Sequence, residues 1–267
     1  RLLRDHFKQA FYVGGCVRDM LLRQEGGGKK ESSEESPSDI DIATNARPDE
    51  IEGMFSKTVP VGKQFGVMIV IRNGIHFEVA TFRSDAEYRD GRRPQSVHFS
   101  SAEEDVKRRD FTINGLLYDP LHDRIIDYVG GADDIKAGIV RAIGDPDKRF
   151  KEDKLRILRA VRFASRFSFP IEARTYRAVK KYVPEIGQIS MERIRDELIK
   201  MMTGKKPADS LECMDEVGLL DKILPEVIAM KGVAQNPQFH PEGDVYTHTM
   251  LMMKALSFPD LVLSFAA

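Results

Sequence analysis

FYVGGCVRDMLL at 11–22, followed by SDIDIATN at 38–45, decides the fold. The first stretch reads as a short apolar strand, a Gly14-Gly15 turn and then a helix. Backbone N–H groups and a helix N-terminus therefore point at whatever anion docks there. In the second stretch Ile40 and Ile42 alternate with Asp39 and Asp41, and on a strand this period of two sends both acids to one face. Paired carboxylates suit Mg²⁺, which takes one or two of them plus substrate phosphates. Two such ions roughly 3.5–4 Å apart stabilise both oxygens of a phosphoryl displacement. A lone D-x-D is more often an exposed acid pair on an edge strand, because a short motif needs its structural context. The glycine turn supplies that context and makes Gly14 and Gly15 candidates for cradling a triphosphate, as in metal-dependent nucleotidyl transfer.

Working outward, the chain of 267 residues, 42% hydrophobic and 31% charged, suffices for one large or two modest domains. Cys16 and Cys213 lie too far apart in sequence for a disulfide framework or zinc spacing, which fits a reducing cytoplasm. No apolar run reaches the 18 or so residues of a membrane helix, and no secretory signal opens the chain. It starts at Arg1 rather than Met, which suggests a fragment at both ends. The net charge of −1 hides an asymmetry: Glu25 to Glu52 is acidic, and Arg141 to Arg166 is basic. An acidic pocket can hold cations and a basic stretch can follow a polyanion, although either run alone is more often solvated surface.

Residues 1–145 mix alternating runs (VMIVI, HFEVATF, RIIDYV) with Gly, Pro and Asp punctuation, the pattern of strands with interspersed helices. Within it, residues 23–38 (RQEGGGKKESSEESPS) are too poor in apolar residues to order themselves, which suggests a flexible insertion. The spacing G-x-x-x-x-G-K-[ST] is missing there, so no Walker-type site is expected. From about Phe150 the spacing turns helical, with Gly204 and Gly218 as helix ends. Residues 146–230 form a helical region and 231–267 a further one.

Further constellations carry chemistry. In KRRDFTINGLLYDP, Lys107, Arg108 and Arg109 precede Asp110. Asp110 either N-caps a short helix starting at Phe111 or accepts a hydrogen bond from a ribose hydroxyl while the arginines meet phosphates. In RFKEDKLRILRAVRFASRF, one helix would bury Leu155, Leu158, Val161 and Phe167 and set Asp153 and Arg156 on a common face. The plainer reading is a surface pair worth a few tenths of a kcal/mol. Arg159, Arg162 and Arg166 line up on the same helix, either to track phosphates or to be solvated. Near the C-terminus, His240, Asp244 and His248 have metal-ligand spacing, but Pro241 and Gly243 argue against a continuous helix.

Five strings in order make these signals specific: G-G-x-V-R-D (Gly14–Asp19), D-x-D-I-A-T (Asp39–Thr44), R-R-D-F-T-I-N (Arg108–Asn114), E-D-x-x-R-x-x-R-A-x-R-F (Glu152–Phe163) and E-R-I-R-x-E-L (Glu192–Leu198). The chain resembles the class II tRNA nucleotidyltransferases (CCA-adding enzymes) and their relatives, the bacterial poly(A) polymerases. The resemblance implies an α+β fold, with a DNA polymerase beta-like head and an all-α neck and body. It implies Mg²⁺ held by Asp39 and Asp41, and a nucleotide bound by Gly14, Gly15, Arg18, Arg109, Asp110, Asn114, Asp153, Arg156, Arg159 and Arg162. Asp153 and Arg156 would read the base. RSDAEYRDGRRPQSVHF (83–99) looks like the family's flexible loop and favours terminal A addition. Glu78 stands where a third carboxylate could complete the site. NPQFHPEGDVYTHTM resembles the entry to an HD phosphohydrolase domain, but the His-Asp dipeptide here, His122-Asp123, reads as a turn, so truncation and no hydrolase activity are expected. The implied function is Mg²⁺-dependent addition of CMP and AMP from CTP and ATP to the tRNA 3′ end, in the cytoplasm and without a membrane. The alternatives are poly(A) or A-only addition, or an RNA-binding or HD-type module with an inactive head.

Overall fold

A computed structural model describes residues 2–6, 8–25, 40–85 and 97–266. Asp39, most of the 23–38 insertion and the middle of the 83–99 stretch lie outside the described residues. The chain divides into two units, residues 1–137 with 141–144, and 138–140 with 145–267.

The first unit runs α1 (Leu2–Asp5), β1 (Ala10–Val13), α2 (Gly15–Glu25), β2 (Asp41–Thr44), α3 (Pro48–Met54), β3 (Thr58–Gly62), β4 (Val67–Arg72), β5 (Ile75–Thr81), β6 (Arg83–Asp85), β7 (Val97–Phe99), α4 (Ala102–Lys107), β8 (Leu116–Asp119), β9 (Arg124–Asp127) and α5 (Gly131–Ala137). Seven strands form one mixed sheet in the order β3-β4-β5-β2-β1-β8-β9, and β6 pairs with β7 in a separate ribbon. β2 pairs in parallel with β5, and the other pairings are antiparallel. The β4–β5 hairpin turns at Asn73-Gly74, both with positive φ (52° and 78°), the dipeptide that a primed two-residue turn favours.

The alternation read in the sequence sorts the two faces. Phe11, Val13, Ala43 and Leu117 point to one side, where Phe82, Ala102 and Val106 complete a core cluster. Met68, Val70 and Val79 point to the other, where Leu3, Ala46 and Ile51 meet them. Asp41 lies two residues before Ala43 and shares its face, so the strand that fills the core also carries the acid.

The second unit is helical among its described residues: α6 (Pro146–Glu152), α7 (Leu155–Phe167), α8 (Ala173–Tyr182), α9 (Met191–Met202), α10 (Pro207–Glu216), α11 (Leu220–Ile223), α12 (Pro225–Ile228), α13 (Val245–Ala255) and α14 (Leu261–Ala266). Ile157, Leu158, Val161 and Phe163 are buried, while Leu155 and Phe167 stay half-exposed. Gly218, with φ +79°, closes α10 as expected.

One helix over 150–167 does not form. Asp153 breaks it, with extended backbone (φ −151°, ψ 108°). Its carboxylate accepts the Leu155 N–H at 3.0 Å. A short acid that bonds nearby backbone N–H groups competes with the helix interior, which explains the break. Asp153 and Arg156 therefore do not share a face of one helix.

Candidate active site

The site of the first unit is built where β1 ends. Gly14 takes φ +72°, a left-handed conformation that glycine adopts without strain, and Gly15 opens α2. A Cβ on Gly14 would stand 3.2 Å from Arg109 Nη1 and 4.0 Å from Asp41 Oδ2. The missing side chain thus leaves a bare turn between a guanidinium and a carboxylate.

Asp41 is half-buried, and its partner across the parallel β2–β5 pairing is the exposed Glu78. Residues in register on neighbouring strands project from the same face, so the two acids stand side by side. This donor set, carboxylate oxygen only, fits a hard divalent cation. Cys16 lies against the same edge, its Sγ donating to the Val13 carbonyl at 3.2 Å. Burial first, and the Asp41 carboxylate second, hold its thiol above the usual value, which keeps it an unreactive S–H.

Arg109 is aimed by Asp105. Arg108 and Arg109 meet that carboxylate at 2.7 and 3.2 Å. Burial pushes the Asp105 carboxyl up, but the two guanidiniums outweigh it and hold it below the usual carboxylate range. Among the described residues no acceptor meets the buried Arg109 Nε–H. Arg109 is thus held through Nη2, while its Nη1 faces the Gly14 turn and suits an incoming oxyanion.

Beneath the turn runs a buried polar chain. Arg18 donates to Asp19 Oδ1 at 2.8 Å and to Asn114 Oδ1 at 2.6 Å, and Asn114 Nδ2 donates to Asp110 Oδ1 at 3.1 Å. Asp110 Oδ1 also accepts the Phe111 N–H at 2.8 Å. The capping expectation is corrected here: Phe111 caps the short 3₁₀ turn Thr112–Asn114, and Asp110 precedes it. Arg18 is thereby locked into one orientation with Asp110 and Asn114, although 96 residues separate it from Asn114.

In the second unit Asp153, Arg156 and Arg162 are each gripped by a side chain of opposite charge. Asp153 pairs with Arg193 at 2.7 Å, and Arg156 pairs with Glu152 at 2.8 Å while donating to the Arg149 carbonyl at 2.9 Å. The arginine row is not uniform: Arg166 is exposed, whereas Arg162 is 9% exposed and meets Glu197 at 2.6 Å. Burial raises the Glu197 carboxyl, but Arg162 more than offsets it and leaves it below the usual range. Arg159 lies 5.4 Å over the Phe163 ring.

The C-terminal metal spacing is also corrected. Asp244 N-caps α13 by accepting the Thr247 N–H at 2.8 Å, and Glu242 joins His240 and His248 in its place. The broken spacing follows from Gly243, whose φ of +128° folds Glu242 back toward the helix. His122-Asp123 lies in the β8–β9 turn, bonded to Asp119 and Tyr118. Asp105, Arg193 and Glu197 were not singled out from sequence. Asp105 alone had a local signal, its spacing of three and four from the two arginines.

Residues 10–141 match the "Poly A polymerase head domain" family and residues 168–231 the "Probable RNA and SrmB- binding site of polymerase A". A CCA-adding enzyme of Bacillus licheniformis is 44% identical over 84% of this chain and 53% of its own. The crystal structure of the Bacillus stearothermophilus CCA-adding enzyme in complex with CTP is 39% identical, with a TM-score of 0.70 over 82% of this chain and 50% of that one. A tRNA nucleotidyltransferase complexed with a primer tRNA and an incoming ATP analog is 25% identical, with a TM-score of 0.67 over 95% of this chain and 73% of that one. The chain spans about half the length of the curated relatives it matches. Among its described residues no helix is long and apolar enough to cross a membrane. With the glycine turn, the strand-borne acids and both family regions in order, the chain belongs to the nucleotidyltransferase family of CCA-adding enzymes and poly(A) polymerases.

Proposed function

We propose that this protein adds CMP and AMP, from CTP and ATP, to the 3′ end of tRNA without a nucleic acid template, releasing pyrophosphate. The observation that carries the reading is that Arg109 Nη1 and Asp41 Oδ2 flank Gly14 at the end of β1, 3.2 and 4.0 Å from where a Cβ on that glycine would stand. The solved relatives, one holding CTP and one a primer tRNA with an ATP analog, support the substrate class.

Asp39 and Asp41 hold Mg²⁺, with Glu78 as a third oxygen donor. When bound, the metal supplies charge neutralisation at the phosphates. Gly14 and Gly15 let the triphosphate lie against the backbone, and Arg109 donates from Nη1 to a phosphate oxygen. Arg18 and Asn114 hold Asp110 in the orientation that accepts a sugar hydroxyl. The terminal 3′-hydroxyl of the tRNA attacks the α-phosphate in line, and the bond to pyrophosphate breaks.

Base choice falls to Asp153 and Arg156. Cytosine and adenine each place an exocyclic amino donor beside a ring-nitrogen acceptor, and uracil and guanine reverse that order. A carboxylate and a guanidinium therefore accept the first two and reject the others. Arg193 and Glu152 pre-order the pair. Arg159 stays in the nucleotide set, while Arg162, tied to Glu197, serves by joining α7 to α9. We assign the head to 1–145 and the nucleotide- and tRNA-binding neck and body to 146–230. Residues 231–267 open an HD-like helical domain, and the protein works in the cytoplasm.

The test is a tRNA lacking its 3′ end, incubated with each of four labelled nucleoside triphosphates. CTP and ATP are incorporated in a limited tail, and GTP and UTP are not. Long tracts from ATP alone indicate poly(A) synthesis instead, and tRNA binding without incorporation indicates an inactive head.

A further inference from the structure

Lys107, Arg108 and Arg109 are three cations in a row, and the fold sends them to three different places. Lys107 is tied to Glu103 at 2.8 Å and to Glu104 at 3.3 Å on the exposed side of α4. Arg108 donates from Nε and Nη2 to Asp105 Oδ1, at 3.0 and 2.7 Å, and from Nε to the Arg83 carbonyl at 3.1 Å. Arg109 donates from Nη2 to the other oxygen, Asp105 Oδ2, at 3.2 Å, and turns Nη1 to the glycine turn.

Asp105 Oδ1 also accepts the Arg83 N–H at 3.3 Å, so both backbone polar groups of Arg83 are bonded to Asp105 and Arg108. Arg83 is the first residue of β6, at the root of its ribbon with β7, and its side chain donates to the Phe65 carbonyl. The other strand is closed by the Ser100 N–H on the Phe82 carbonyl at 3.0 Å, and Phe82 itself belongs to the core cluster. The root of the ribbon is therefore a fixed point of the head, and the Asp105 carboxylate, only 1% exposed, is fastened to it. A carboxylate is planar. With three N–H groups on Oδ1 the direction of Oδ2 is set, and with it the guanidinium of Arg109. Burying an acid is a costly way to hold a helix, since apolar side chains of like volume often hold it as well or better. What they cannot do is fix the plane of a guanidinium.

We propose that Asp105 is a positioning residue for nucleotide binding: it aims Arg109 Nη1 at the triphosphate by tying Nη2 to the root of the β6–β7 ribbon, and Arg108 completes that anchor. The inference rests on the assignment of Arg109 to a phosphate oxygen made above. Asp105 then acts on phosphate recognition alone. Base and sugar are met by other residues, so loss of the carboxylate weakens CTP and ATP by the same factor. An untethered arginine must be ordered again at each binding event. Binding lost equally from the ground and transition states raises KM and leaves kcat in place.

The experiment is steady-state incorporation of CTP and ATP on tRNA ends that accept each, for the native protein, D105N, R109A, D105N/R109A and K107A. Inorganic triphosphate, which carries neither base nor sugar, serves as competing ligand. D105N raises KM for CTP and ATP alike by about tenfold, keeps kcat within about twofold, and weakens inhibition by triphosphate about tenfold. In the R109A background D105N adds little, because residues that act through one another are not additive. K107A, which removes an exposed cation from the same helix, keeps native inhibition. Should D105N fail to fold, D105L/R108M puts apolar side chains in place of the buried pair and shows the same loss of triphosphate affinity. A D105N effect confined to kcat or to one nucleotide, full additivity with R109A, or native inhibition in D105N or D105L/R108M overturns the proposal. Native inhibition in R109A overturns the phosphate role of Arg109 itself, a failure that D105N alone does not produce.

Discussion

Gly14→Ala tests whether the bare turn matters for space or only for conformation. At φ +72° any Cβ carries the left-handed penalty of about 1–2 kcal/mol. Gly74, at φ +78° with nothing within 4 Å of its would-be Cβ, carries the same penalty and nothing else. Both alanine variants should therefore lose a similar 1–2 kcal/mol or so in denaturant titrations. They should part company in activity. In Gly14→Ala the new methyl sits 3.2 Å from Arg109 Nη1 and must push the guanidinium aside. The guanidinium must give by a few tenths of an ångström; a full ångström of misplacement costs up to about 100-fold, so kcat/KM for CTP and ATP falls several-fold, to roughly 10-fold, while Gly74→Ala stays near native. If Arg109 transmits the effect, Gly14→Ala adds little in an Arg109→Ala background, because changes in contact are not additive. Strict additivity, or native activity in Gly14→Ala, refutes the reasoning.

Asp41→Ala and Asp39→Ala should each abolish incorporation with Mg²⁺, and in Asp41→Ala the circular dichroism and melting profile should stay native, since Asp41 is half-buried and outside the core clusters. Asp153→Ala should lower CTP and ATP use and shrink their advantage over UTP and GTP, by about 1–3 kcal/mol per lost bidentate contact. An unchanged four-nucleotide preference returns the choice of base to other residues. Glu197→Ala leaves Arg162 buried without its carboxylate and should cost about 3–5 kcal/mol in denaturant titration. The native Glu197 carboxyl is depressed, so its contribution is present above the unfolded value, about 4.3, and is lost as pH falls through the lower folded value. The acid limb of a stability–pH curve should therefore flatten in Glu197→Gln, and an unaltered limb would contradict the buried pairing.

Much of the head was legible because its signals are local. Alternation fixed which side of β1, β2, β4 and β5 is buried, and the glycine turn announced a strand-to-helix junction before a helix end was in view. Of the pair, however, only Gly14 takes a positive φ; Gly15 is an ordinary first helical residue. Glu78 was marked from its strand alone, and the parallel register with Asp41 that gives it meaning needed the sheet order. Partners that depend on tertiary packing were not readable: Arg193 for Asp153, Glu197 for Arg162, each dozens of residues away. Asp153 misled because helical periodicity on both sides of it was sound, and a single capping carboxylate outweighed it. Glu242 was overlooked for a similar reason: spacing by four favoured Asp244, and the positive φ at Gly243 brings Glu242 instead beside His240 and His248.

The order of strands in the sheet has a consequence for synthesis. β1 emerges before both of its neighbours, yet it is a central strand flanked by β2 on one side and β8 on the other, with Val13 paired to Leu117. Closing a loop of roughly a hundred residues carries an entropic cost of about 4 kcal/mol beyond the constant term, so that pairing must follow the contacts that shorten the loop. Until β8 has left the ribosome, β1 offers a row of unpaired N–H and C=O groups and the apolar side chains of Phe11 and Val13. The growing chain thus carries a temporary open edge at the strand that ends in the glycine turn, and nascent-chain chaperones would find their main work on it in the interval before Leu116 appears.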